Sequence, residues 1–153
     1  EGALLTAAEE RIVRRAWTNV WAVCGDVTTF RPPEGYADVV TFSYSLTMIP
    51  DWYLAIDHAL ALLKPGGTIG VVDFYVARKY PGYGNRRHGW VTRTLWPIWF
   101  AWDNVHISPD HLPMLESRFG TVERVERSGG LPYLPLVRVP YYRFVGRKAA
   151  NAS

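Results

Sequence analysis

The sequence predicts an α/β fold: a mostly parallel sheet flanked by helices, with an antiparallel strand at its carboxyl-terminal edge. Three observations carry this. The stretch HALALLKPGGTIGVVDFY, residues 58–75, runs from apolar residues at helical spacing, through Lys64-Pro65-Gly66-Gly67, into a nearly unbroken apolar run. That is the second half of a crossover from a helix to a buried strand. An earlier apolar and β-branched run, DVVTFSYS, precedes the helix, so strand, helix and strand follow in the order of a right-handed crossover unit. Near the carboxyl end, TVERVERSGG and VPYYRFVGRK read as two antiparallel neighbours.

The elements follow in order. Residues 3–16 place Leu5, Ala8, Ile12 and Ala16 on one face, with Glu9, Glu10, Arg11 and Arg14 elsewhere, which predicts an amphipathic helix. Thr6 and Glu9 suit a capping box, and a helix already running from Gly2 is equally consistent. Val20 to Cys24 reads as a short strand ended by Gly25-Asp26, and Pro32-Pro33 with Gly35 marks a loop. DVVTFSYS is the second strand. Pro50-Asp51 opens a helix whose stripe is Trp52, Ala55, Ile56, Ala59, Leu60 and Leu63, with Gly66-Gly67 as a left-handed stop. TIGVVDFYV is the third strand. SPDHLPMLESRF reads as a short helix with Ser108 as cap and Pro109 in its first turn. Prolines 132, 135 and 140 are expected in the connection between the last two strands, or at an edge.

Composition narrows the function. The chain has 153 residues, 48% hydrophobic and 20% charged, enough for one modest core and read as a single domain, 1–153. A net charge of +3 is too mild for a nucleic-acid footprint. Cys24 lies in an apolar run and reads as a buried small hydrophobe in a reducing compartment. There is no basic-then-apolar leader, and the most apolar region, Trp90 to Ile107, is broken by Arg93, Pro97 and Asp103. A cytoplasmic protein, peripheral at the inner membrane surface, is the expectation. The first residue is Glu, and the chain reads as a piece of something longer.

Ligands of open α/β sheets bind outside the carboxyl ends of the strands. Gly25-Asp26, Ser43-Tyr44-Ser45 and Asp73-Phe74-Tyr75 converge there. A carboxylate after glycine can accept from a ligand amine or hydroxyl, although Gly25-Asp26 is equally a simple turn and Asp73 equally a loop cap. Other chemistries fit less well. Ser43 and Ser45 lack the glycines of a nucleophile elbow. His106, Asp110 and His111 match no metal spacing and read as solvent-facing, so no metal is expected. GYGNRR lacks the phosphate-loop pattern.

Together GD after a strand, ADVVTFSYSLTMIPDW and ALLKPGGTIGVVDFY resemble Rossmann-like, S-adenosylmethionine-dependent methyltransferases over residues 1–76. FSYSLTMIPDW, GVVDFYV and the later RHGW, WF, DNV and HLP are similar to the narrower family of N-methyltransferases of betaine-lipid synthesis, which trimethylate the amino group of diacylglycerylhomoserine. The resemblance implies a partial Rossmann-like fold in which the first strands and the glycine-rich motif are missing, those parts lying upstream in the same protein. It implies S-adenosyl-L-methionine as cofactor. Gly25, Asp26 and the backbone of Val27 would meet the adenine, and Phe42, Ser43 and Tyr44 would lie near the methionine part. Tyr44, Met48, Tyr75, Trp90 and Trp99 would face the acceptor, with Asp73 or His88 as proton acceptor. Without the upstream strands, cofactor binding is expected to be weak or absent.

Residues 77–113 form an aromatic and basic insertion on the substrate side of the sheet. There Arg78, Lys79, Arg86, Arg87 and Arg93 accompany Trp90, Trp96, Trp99, Phe100 and Trp102. This suits a lid over a lipid headgroup or peripheral contact with an anionic membrane, and equally tryptophans packed against the sheet. Two functions stand: a methyltransferase acting on an amine-bearing lipid or small molecule, and a non-catalytic membrane-surface or partner-binding module that kept the fold.

Overall fold

The structure, a computed structural model, describes residues 2–74, 108–131 and 134–150. They fall in two units, residues 1–30 and 31–153.

In the first unit, helix α1 (Gly2–Arg14) already runs from Gly2, and Thr6 donates back to the Gly2 carbonyl at 3.0 Å. The chain turns at Ala16, whose φ is +50°. Residues 20–26 do not form the expected strand. A strand exists only where a ladder satisfies its backbone groups, and among the described residues none pairs with this segment. Cys24 is accordingly exposed, not buried.

The second unit holds β1 (Ala37–Ser43), a 3₁₀ turn (Leu46–Met48), α2 (Trp52–Leu62), β2 (Leu63–Phe74), α3 (His111–Arg118), β3 (Gly120–Leu131) and β4 (Leu134–Arg147). β1 and β2 pair in parallel, with Val40 opposite Ile69 and Ser43 opposite Val72. This is the crossover read from the sequence.

The sheet order is β1-β2-β4-β3, and β4 runs antiparallel to both neighbours. The sheet is therefore mixed rather than mostly parallel. A parallel neighbour needs a helical crossover, and the described residues contain one such unit. Nor is the last strand at the edge, since β4 lies between β2 and β3. Pro135 and Pro140 sit within β4 rather than in a connection. Pro140 faces Ser128 of β3.

Helix α2 ends at Leu62, ahead of the expected glycine stop. Pro65 disfavours helical geometry at Lys64 and so closes the helix early. Gly66, with φ +76°, instead shapes the bulge at the start of β2. At Gly67 an added Cβ would stand 2.9 Å from the Lys64 carbonyl oxygen and 3.1 Å from that of Asp38. The core lies on one face of the sheet. Phe42, Ile69, Val71, Tyr142 and Phe144 pack with Ala55, Ile56 and Ala59 of α2 and with Leu112 and Leu115 of α3.

Candidate active site

Parallel pairing brings the carboxyl ends of β1 and β2 together. The chain leaves β1 through Tyr44, whose amide donates to the Val72 carbonyl at 2.8 Å and whose φ is +51°. That left-handed conformation costs a non-glycine residue about 1 kcal/mol or more. The Tyr44 ring is 45% exposed and lies 4.9 Å from that of Phe74 at the end of β2. The 3₁₀ turn follows, closed by the Met48 amide on the Ser45 carbonyl at 3.0 Å. Leu46 and Thr47 face inward and Met48 outward.

Asp73 is wholly buried beside this turn. Its Oδ1 accepts from Thr47 Oγ1 at 2.9 Å and from the Phe74 amide at 2.8 Å, and its Oδ2 accepts from the Thr47 amide at 3.3 Å. Burial holds the carboxyl above its ordinary range. The Thr47 hydroxyl and the amides of Phe74, Thr47 and Leu46 oppose this by solvating the charge. Across the ladder stands Tyr142, also wholly buried, whose phenol is pushed well up, first by burial and then by the charge of Asp73.

Beyond Tyr142 lies His111, 6.5 Å away ring to ring and edge-on to Trp52 at 4.5 Å. Its reading as solvent-facing is corrected, because α3 turns the same face inward that carries Leu112 and Leu115. Burial pushes His111 down to about 4 against the opposing charge of Asp110, so the ring is neutral at neutral pH.

The residues expected at the site divide. Ser43, Tyr44, Met48 and Asp73 gather at the β1–β2 ends, while the Phe42 side chain is core. Tyr75, His88, Trp90 and Trp99 lie outside the described residues. Gly25, Asp26 and Val27 belong to the first unit. Asp26 Oδ1 accepts from the Thr28 amide at 2.8 Å and the Thr28 hydroxyl at 2.7 Å, which makes it a turn cap. A groove there is lined by Leu4, Leu5, Ala8, Val23, Gly25 and Asp26. A mostly apolar lining with one carboxylate is of the kind that takes a flat heterocycle bearing an exocyclic amine, with Asp26 Oδ1 already accepting from Thr28.

Three residues of the site escape a reading of the sequence. Thr47 and His111 carry no local mark of their role. Tyr142 had one, since alternation with the apolar Phe144 places it on the inward face.

A mixed α/β sheet with a parallel crossover, its polar groups gathered at the carboxyl ends of that pair, has the arrangement in which open α/β folds bind their ligands. The sequence profile of the methyltransferase domain matches residues 6–118, and the chain belongs to that family. Solved structures agree in fold. A protein from Bacillus halodurans assigned as a methyltransferase superposes with a TM-score of 0.72 at 14% identity, over 97% of this chain and 80% of its own. The N-methyltransferase NodS from Bradyrhizobium japonicum, solved with S-adenosyl-L-homocysteine, gives 0.61 at 18% identity over 93% of this chain. The cyclase SpnF gives 0.65 at 19% identity over 96% of this chain. The chain spans 61% of NodS and 63% of SpnF. The family's methyl donor is S-adenosyl-L-methionine, a sulfonium that supplies a methyl group open to in-line attack. No helix among the described residues is long and apolar enough to cross a membrane.

Proposed function

We propose that the chain forms the acceptor-side part of a methyltransferase that methylates the amino nitrogen of a lipid headgroup, converting diacylglycerylhomoserine to its trimethylated betaine form. One observation carries the reading: the exposed Tyr44 ring, paired with Phe74, at the carboxyl ends of the parallel strands. Repeated methylation of an amine ends in a quaternary ammonium, and aromatic faces attract such cations. A nearby aromatic pair therefore favours an amine over a hydroxyl or a carboxylate. An amine attacks only with its lone pair free, so the chain's part is to orient the nitrogen and to let its proton leave. Asp73, enclosed by Thr47, acts through the turn it holds, and in this reading the proton passes to His88. The arginine- and tryptophan-rich segment 77–113 supports a substrate presented at an anionic membrane.

The test is to incubate the full-length protein with methyl-labelled S-adenosyl-L-methionine and vesicles containing diacylglycerylhomoserine, beside phosphatidylethanolamine vesicles and soluble homoserine. Mass spectrometry of the extracted lipid is expected to show one to three added methyl groups on diacylglycerylhomoserine. Label confined to a soluble acceptor, or to none of the three, overturns the reading.

A further inference from the structure

A carboxylate withdrawn wholly from water is costly unless hydrogen bonds or an opposite charge replace its hydration. Asp73 lies in that position at the mouth of the candidate site, accepting three hydrogen bonds, of which two come from the side chain and amide of one residue, Thr47. Thr47 itself is 2% exposed and sits in the turn that carries Tyr44 and Met48 to the surface. The turn thus has two anchors on β2, the Tyr44 amide on the Val72 carbonyl and Thr47 on Asp73. Tyr44, in its unfavoured left-handed conformation, is the first residue of the span they hold.

We infer that Thr47 and Asp73 form a clasp that sets the direction of the Tyr44 ring, making Thr47 a positioning residue for the amine acceptor and Asp73 its counterpart rather than the proton acceptor. This rests on the reading of Tyr44 as facing that acceptor. With the clasp open, Tyr44 is free to relax to negative φ and the ring leaves its place beside Phe74. The groove of residues 1–30 is lined by neither Thr47 nor Asp73. Tyr44 is also expected near the methionine part of the cofactor, so opening the clasp is expected to affect the acceptor strongly and the cofactor much less.

The experiment has an arm that needs no activity. Hydrogen exchange on the full-length parent protein is expected to find the Thr47 and Tyr44 amides slow, and exchange as fast as in an exposed loop overturns the clasp before any variant is made. In Thr47→Val, a lost hydrogen bond to a charged group predicts exchange at Tyr44 faster by about tenfold or more, with the acceptor KM raised by a similar factor. The cofactor Kd, read by calorimetry, stays within about twofold, and Thr47→Ser restores the KM through its hydroxyl. In Asp73→Asn the acceptor KM rises while the acid limb of the kcat profile keeps its position. An acid limb abolished by Asp73→Asn, or a KM unmoved in Thr47→Val, refutes the positioning role. A parent protein that binds cofactor and methylates no amine refutes the acceptor reading alone, since exchange still decides the clasp.

Discussion

At the scale of single residues, His111 makes the clearest demand on the fold. Among the described residues neither ring nitrogen meets a hydrogen-bonding partner, and the side chain is wholly buried. The unfolded chain takes up a proton near 6.5, the folded one at about 4, so the unfolded state binds more protons between these values. The stability that a neutral His111 permits is complete above about 6.5 and falls as the pH drops through that window, by about 3 kcal/mol in all. Asp73 has the opposite sign: its raised carboxyl loses stability as the pH rises through its folded value. Comparison with His111→Leu cancels that contribution. The Leu variant is expected to lose most of the pH dependence of its urea midpoint between pH 4 and 6.5. At pH 7 it should be at least as stable as the parent, by up to about 1 kcal/mol, because two unsatisfied nitrogens are removed. An undiminished slope in the variant would place its source elsewhere. His111 shows why the sequence misleads here. A polar residue beside Asp110 looks solvated, and only the packing of α3 on the sheet encloses it.

At the scale of elements, local signals served well where the responsible residues are neighbours. The stripe of α2 as far as Leu60 and the parallel strands on either side of it follow from spacing alone and stand where expected, while α3 begins at His111 with Asp110 as its cap, two residues beyond the expected Ser108. The failures involve distant partners. Val20 to Cys24 has strand composition, but composition supplies no ladder. Pro65 closes α2, but the carbonyls at its end are met from far along the chain, for Lys148 Nζ donates to those of Leu60 at 2.8 Å and Leu63 at 2.7 Å. These acceptors lie where a helix leaves its last carbonyls unsatisfied and where a cation suits the dipole. The Lys148 amide also donates to the Gly67 carbonyl at 2.8 Å, and its carbonyl accepts from the Gly66 amide at 3.2 Å. One residue after β4 thus serves both the helix end and the bulge of β2. Lys148→Met keeps the stem and removes the donors. It is expected to cost about 1.5–3 kcal/mol in urea denaturation, the range for hydrogen bonds to a charged group. A midpoint equal to that of the parent would show that water serves the helix end as well.

At the scale of the whole sheet, lateral order was the part least readable from the chain. Two antiparallel strands at the end of a sequence can stand in either order beside β2, and local spacing is the same in both. Composition held a clue, because VPYYRFV is more apolar than TVERVER, and an interior strand needs two buried flanks where an edge strand needs fewer. Tyr142 and Phe144 of β4 are indeed wholly buried, whereas Val122 of the edge strand β3 is 62% exposed. The consequence is that β3, made first, has no neighbour until β4 arrives. β4 pairs with β2 from Thr68 to Phe74 and with β3 from Gly120 to Leu131, and β2 and β3 do not pair with each other. Removing β4 therefore splits the sheet into β1–β2 and a lone β3. It also strips two large aromatic side chains from the core, each worth about 1.5–3 kcal/mol of burial, against a total stability of about 5–15 kcal/mol for a domain. A chain ending at residue 131 is expected to show no cooperative thermal transition and no slowly exchanging amides in β2. A sharp transition in that shortened chain, with β2 still protected, would mean that the crossover unit is stable by itself and that β4 only completes it.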